Sequence, residues 1–266
     1  PDFSRRRRHT RCARWSRGLG DVYKRQRYAS LLKIDHVMGL HRQFWIPDGA
    51  DSSEGTYVAY PAEEYYAVLA IESRRNRCVI AGEDLGTVPH GVRETMSRFN
   101  LQRLYVAQVQ DPADLPPAGS VSSLNTHDFR PFAGFLEELD IDDRLRYRFI
   151  DEEEAERERT ERRDLLRRMT SALVKERFLE TNDPGPEGLL DAWLRRLAGG
   201  PSRFVMVNVE DLWLETRAHN VPGTPDSRPN WVGRAALKLE DMEQSERITG
   251  MLRRLDGIRR TVEDHR

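Results

Sequence analysis

Cysteine is scarce: the 266-residue chain has two, Cys12 and Cys78. That number excludes a disulfide-stapled scaffold and points to a reducing, cytoplasmic setting. Long apolar runs are missing too, and none approaches the roughly 18 residues that a membrane span needs. The N-terminal basic run has no apolar stretch behind it, so it does not read as a signal peptide. No Cys or His pairs stand at metal-ligand spacing. No Gly-rich phosphate turn follows the first expected strand, which weakens a nucleotide-binding reading. Neither an activated Ser or Cys triad nor a repeat of fixed period is evident.

Charge is abundant and unevenly placed. Asp, Glu, Lys and Arg make up 33% of the chain, against 38% apolar residues, so a sizeable core sits under a highly charged surface. Residues 1–26 hold nine Lys and Arg against two acids, while the remainder holds 34 against 42. A basic arm on an acidic body suggests a nucleic-acid partner. That reading rests on residues 1–26 alone. Ser16–Gln26 reads as the translation of a transposase-type sequencing-library adaptor, and Asp21–Gln26 can be spelled GATGTGTATAAGAGACAG. Residues 1–26 are therefore expected to be adaptor-derived rather than native, and neither a nucleic-acid nor a membrane partner is expected.

Three short apolar runs lead to carboxylates: Leu31–Asp35 ends in Asp35, Cys78–Ala81 leads to Glu83, and Ser120–Leu124 leads to Thr126-His127-Asp128. Successive acids lie 48 and 45 residues apart, the length of one or two strand–helix units. Acids at the C-terminal ends of parallel strands gather on one face of a barrel. There, one carboxylate can attack a sugar, a second donate a proton and a third steady the ring.

The rest of the pattern agrees with alternating strands and helices. Strands are expected at Leu31–Asp35, Cys78–Ala81, Leu104–Val109, Ser120–Leu124 and Phe204–Val209. Helices are expected at Ala62–Asn76, from Pro89 to about Arg98, through most of Phe132–Phe178, at Leu189–Leu197 and within Leu237–Thr261. Acids and bases alternate over Asp151–Arg163 at spacings that allow i,i+4 pairs on a solvated helix. His41–Pro61, Thr181–Gly188 and Asn220–Asn230 read as loops. This is an α/β pattern with a parallel sheet. Five strands are too few for a closed barrel, which needs eight, and could also form an open doubly wound sheet.

The residues around the acids resemble the amylomaltase, or 4-α-glucanotransferase, family (glycoside hydrolase family 77). The resemblance covers nearly all of residues 30–260. It is carried by Ile34–Arg42 (IDHVMGLHR), Gly82–Pro89 (GEDLGTVP), Thr126-His127-Asp128, Val207–Trp213 (VNVEDLW) and Asn220–Trp231 (NVPGTPDSRPNW). It implies a partial (β/α)8 TIM barrel, about strands 4 to 8 with helical insertions, formed by residues 27–266. It implies transfer of α-1,4-glucan segments between maltooligosaccharides, without a cofactor. Asp35 would be the nucleophile, Glu83 the acid/base and Asp128 the transition-state stabiliser. The two reacting carboxyls would lie about 5 to 5.5 Å apart, as retaining chemistry requires. Glu83 would need a raised pKa and Asp35 a nearby cation. The family has Arg two residues before the nucleophile, where this chain has Lys33, which keeps the charge and loses the two-pronged fork.

His127 would contact the same sugar as Asp128, while His36 reads as structural. Trp45, Tyr57 and Trp231 are candidate stacking platforms, and Asn220, Pro222 and Gly223 would shape the acceptor side. Glu210-Asp211 reads as structural. A hydrolytic α-amylase-clan enzyme and an inactive glucan-binding fragment are the alternatives. A family member carries three further strands before the nucleophile strand, so this chain alone is expected to be poorly stable and inactive, with exposed sheet edges.

Overall fold

The structure is a computed structural model that describes residues 29–224 and 227–264. The segment expected to be adaptor-derived, with Cys12 in it, lies outside the described residues. The chain divides into two compact units, Pro1–Leu104 and Tyr105–Arg266.

The described part of the first unit runs β1 (Leu31–Ile34), β2 (Arg42–Trp45), β3 (Thr56–Ala59), α1 (Ala62–Asn76), β4 (Val79–Gly82), α2 (Val92–Arg98) and β5 (Gln102–Val106), the last crossing the unit boundary. β1 pairs in parallel with β4, Leu31 beside Val79 and Ile34 beside Gly82. β4 pairs in parallel with β5. Helix α1 carries Glu63 and Glu64 in its first turn and Arg74 and Arg75 in its last, the charge order that the helix dipole favours. Its Tyr66 and Leu69 are buried with Val37, Met38, Ile80, Val92 and Met96 as this unit's core. Gly82 is required by close approach: a Cβ there would come 2.8 Å from Val37 Cγ2.

Two expectations change in this unit. His41–Pro61 is not a loop: β2 and β3 pair antiparallel within it, Phe44 beside Tyr57 and Trp45 beside Thr56. The turn between them is closed by a reciprocal cap, in which Asp51 accepts from the Ser53 N–H and Glu54 accepts from the Asp51 N–H. Its Gly, Pro and Ser content masked a short alternation. Likewise, Pro89 does not open α2. It starts a turn in which Gly91 takes a φ of 86°, and the helix begins at Val92.

The second unit continues with β6 (Ser120–Ser123), α3 (Phe132–Leu136), α4 (Leu139–Arg146), α5 (Glu152–Lys175), α6 (Pro186–Gly199), β7 (Phe204–Val205), α7 (Leu239–Gln244) and α8 (Glu246–Asp264). β6 and β7 are parallel. The parallel order is β1-β4-β5 in the first unit, and β6-β7 in the second. Trp193, Leu190, Leu194 and Leu197 of α6 pack with Phe132, Met169, Leu173 and Met251 into the second core.

Boundaries shift here as well. β5 starts two residues before the expected Leu104 and ends at Val106, where a short 3-10 turn takes over. β7 is only two residues long, and α6 begins at Pro186, a residue suited to a helix's first turn. The charged stretch is helical as expected, but its tighter pairs are not i,i+4. Arg162 makes a bidentate pair with Asp140 of α4 at 2.9 and 2.6 Å, and Arg159 reaches Asp142 at 2.8 Å. The charges staple α5 to α4.

At the end of β4 the buried Asp84 carboxylate accepts from Arg93 Nε at 2.9 Å, Arg103 Nε at 2.8 Å and the Leu104 N–H at 3.1 Å. Removing one side of a buried ion pair leaves the other uncompensated. Asp84→Ala should therefore destabilise the chain by about 3 kcal/mol, read as a lowered urea midpoint. An unchanged midpoint would show that this anchor contributes nothing.

Candidate active site

In the first unit, parallel pairing of β1 with β4 sets the positions of Asp35 and Glu83. The backbone ladder runs past both strands: the Glu83 N–H donates to Ile34 O at 2.9 Å, and the Val37 N–H to Glu83 O at 3.0 Å. Lys33 Nζ lies 2.6 Å from Asp35 Oδ1 and 3.7 Å from Glu83 Oε2. Lys33 thus pairs with Asp35 and lies near Glu83. His36 acts through its backbone. It sits at a φ of 46°, and its N–H donates to Glu83 Oε2 at 2.9 Å.

The Glu83 carboxyl is held above the usual carboxylate range, chiefly because burial disfavours its charge. A hydrogen bond with the Asp35 side chain and the Asp35 charge push the same way, while the His36 N–H and the Lys33 charge oppose. The two carboxyls differ in exposure: the Glu83 side chain is 18% exposed and that of Asp35 is 65% exposed.

Trp45 and Tyr57 are both well exposed, at 46% and 56%. In the hairpin register Phe44 pairs with Tyr57 and Trp45 with Thr56, so the two rings lie on opposite faces. They cannot stack on one sugar chain from the same side. Trp45 Nε1 donates to Tyr60 Oη at 3.0 Å, and the Arg42 guanidinium lies 4.0 Å from the centre of the Tyr57 ring.

The second unit brings together Asp128, His127, Asn220 and Trp231. Asn220 Nδ2 donates to Asp128 Oδ1 at 2.6 Å, and His127 Nε2 lies 3.3 Å from Asp128 Oδ2. The His127 and Trp231 rings are 5.6 Å apart. Gly223 takes a φ of 84° with the Phe149 ring 3.0 Å from where a Cβ would stand, so glycine is required there. Pro222 lies exposed in the same turn.

Behind these residues is a polar network that the sequence reading left as merely structural. Asp211 is 1% exposed. It accepts from the Phe132 N–H at 2.6 Å and from Asn125 Nδ2 at 3.0 Å. Asn208 Nδ2 in turn donates to the Asn125 side-chain oxygen. Glu210 pairs with His219 at 2.9 Å. Asn125, Asn208 and His219 were not singled out from the sequence. The available signal was weak: two asparagines directly beyond apolar strand runs, positions where an unpaired amide would be costly.

No metal-ligand cluster of His, Cys, Asp and Glu occurs among the described residues. Nor is any described helix long and apolar enough to cross a membrane.

Parallel strands alternating with helices, with Asp35 and Glu83 directly beyond two strand ends, are the framework of the (β/α)8 barrel enzymes. The chain belongs to glycoside hydrolase family 77, the 4-alpha-glucanotransferases, whose family profile matches residues 7–238. It is 31% identical to a 4-alpha-glucanotransferase of Haemophilus influenzae over 234 residues, 83% of this chain and 34% of that protein. It is 34% identical to a 4-alpha-glucanotransferase of Mycobacterium tuberculosis over 221 residues, 77% of this chain and 30% of that protein. The chain thus spans about a third of the length of these curated relatives. Its fold is that of the Corynebacterium glutamicum amylomaltase, with a TM-score of 0.77 at 23% identity, covering 88% of this chain and 36% of that one. A Streptococcus agalactiae amylomaltase in complex with acarbose matches with a TM-score of 0.61 at 17% identity, over 86% of this chain and 41% of that one. The expected partial barrel is therefore the fold observed.

Asp211 has a measurable consequence. Burial raises it to about 6 from 3.8, the Glu210 charge adds to this, and the N–H donors of Phe132 and Asn125 oppose it. The folded chain holds this proton to higher pH than the unfolded chain does. The contribution to stability is therefore full below about pH 4 and is lost as pH rises through about 6, roughly 3 kcal/mol in all. Asp211→Asn should remove that part of the pH dependence of the urea midpoint. Equal slopes between pH 4.5 and 7 in the two proteins would show that the carboxyl is not so shifted.

Proposed function

We propose that this chain supplies the nucleophile, the acid/base and the stabilising acid of a retaining 4-α-glucanotransferase. The observation that carries the reading is the Asp35–Glu83 pair, in which one carboxyl is shielded and biased toward its protonated form while its neighbour is exposed and paired with Lys33. Asp35 attacks the anomeric carbon of a donor maltooligosaccharide. As the glycosidic bond breaks, Glu83 gives its proton to the departing oxygen, leaving a glucosyl ester on Asp35. The 4-hydroxyl of an acceptor glucan then attacks the same carbon, returning its proton to Glu83 and releasing Asp35. Asp128, with His127 and Asn220, binds ring hydroxyls and steadies the oxocarbenium-like transition state. Asn220, Pro222 and Gly223 shape the acceptor side, and Trp45 or Tyr57, one face of the hairpin at a time, offers a stacking surface. The setting is cytoplasmic, in glycogen and maltodextrin metabolism, with α-1,4-glucans as partners.

The test places this segment in the frame of the Mycobacterium tuberculosis relative, replacing its matching third. Given maltotriose, the chimera should yield glucose together with longer glucans, and Glu83→Gln should lower the rate at least about 100-fold. Glucose and maltose without longer products would indicate hydrolysis and overturn the transferase reading.

Lys33 makes a second, finer prediction. Its single ammonium sits against Asp35 and lies 3.7 Å from Glu83, too far for a hydrogen bond to both. A guanidinium could serve both carboxylates through separate N–H groups. Lys33→Arg in the chimera should raise kcat by about two- to tenfold, or about 0.4 to 1.4 kcal/mol. A lower kcat would mean that the site is built around lysine.

A further inference from the structure

The acids Glu210 and Asp211 stand in the 3-10 turn Val209–Trp213 that comes after β7, and they face two different segments. Asp211 holds the segment that carries Asp128 at both ends: Asn125 Nδ2 donates to it from one side and the Phe132 N–H from the other. Between those two anchors stand Thr126, His127 and Asp128, with the Asp128 N–H donating to Thr126 Oγ1 at 3.3 Å. Asn208 closes the arrangement by donating to both oxygens of Asn125. Glu210 holds the other segment. It pairs with His219, whose backbone oxygen accepts from the Trp231 N–H at 2.9 Å, and whose chain neighbour is Asn220. The two segments meet in the bond from Asn220 Nδ2 to Asp128 Oδ1.

We propose that Glu210 and Asp211 form a two-sided clamp that positions the Asp128–Asn220 pair, Asp211 fixing the segment of Asp128 and Glu210 the segment of Asn220. Neither touches the reacting atoms; both are positioning residues. Their functional meaning rests on the reading of Asp128 as the transition-state stabiliser, but the clamp itself is a structural claim. Burial argues for it. A carboxylate this deeply buried is costly to keep, and an apolar side chain would fill the volume more cheaply. What the carboxylate adds is a pure acceptor able to take N–H groups from two directions at once.

The experiment exchanges the donor and acceptor. Asp211→Asn sets one amide NH2 against another at the 3.0 Å contact with Asn125, whereas combining it with Asn125→Asp restores a donor facing an acceptor and leaves Asn208 and Phe132 their acceptors. The probe is the side-chain amide resonance of Asn220 in the full ¹⁵N-labelled chain, identified with Asn220→Asp. The single variant should move this resonance toward that of a free asparagine amide, and the double variant should bring it back. Glu210→Ala, at a side chain that is 22% exposed, should move it in the same direction and carries the test if Asp211→Asn does not fold. A resonance that stays in place in the folded variants, or one that the exchange does not restore, overturns the clamp. In the chimera the single variant should lower kcat about tenfold with KM little changed. A clamp seen by resonance with kcat unaffected would instead overturn the role given to Asp128.

Discussion

The parallel pairing of β1 with β4 is the constraint on which the candidate chemistry depends. Ile34 stands beside Gly82, so the next residue on each strand is a carboxylate, and the two leave the sheet side by side. The ladder continues through the Glu83 N–H and carbonyl, so the backbone rather than a flexible side chain sets their spacing. Everything nearby serves that register. Gly82 lets Val37 pack against the strand end, Asp84 ties the following turn to Arg93, Arg103 and Leu104, and the left-handed His36 turns its N–H toward Glu83. A one-residue slip would exchange the faces of every side chain and separate the pair.

The second unit solves a similar problem by other means. Asp128 and Asn220 lie 92 residues apart on segments with little regular structure, so no ladder can align them. Side-chain acceptors do this instead: Asp211 for one segment, Glu210 for the other. Longer-range order follows the same division. Arg228 donates to Ala218 O at 2.5 Å and Asn230 accepts from the Val221 N–H at 3.1 Å, so the segment around Asn220 is laced by side chains throughout. Loops positioned this way can present functional groups that a regular strand could not.

The acids were legible in the sequence because each follows a short unbroken apolar run, the mark of a strand buried on both faces. Helix Ala62–Asn76 was legible from a different period, Tyr66, Leu69 and Ala70 recurring at i, i+3 and i+4, and was found at those bounds. The hairpin was not. Its alternation spans only four residues a side, and most of its aromatic side chains are exposed, so no buried face announced it. The roles of Asp84 and Asp211 were hidden differently. Sequence shows an acid next to an acid, and only the fold decides which is shielded and what donates to it. Arg93, Arg103, Asn125 and Phe132 come from 9 to 86 residues away. The opposite facing of Trp45 and Tyr57 is likewise a property of strand register, which neither residue encodes alone.

Glu83 and Asp211 show why a raised pKa does not by itself mark an acid catalyst. Burial is the largest cause in both. They differ in their neighbours. Asp211 faces N–H donors of the protein's own interior, so its proton has no partner to pass to and its charge state enters only the stability of the fold. Glu83 is part-shielded, flanked by an exposed carboxylate and a cation, and therefore has both a reason to hold a proton and a direction in which to release it. The same desolvation yields a structural acceptor in one place and a candidate acid in the other, and the geometry of the surrounding donors decides which.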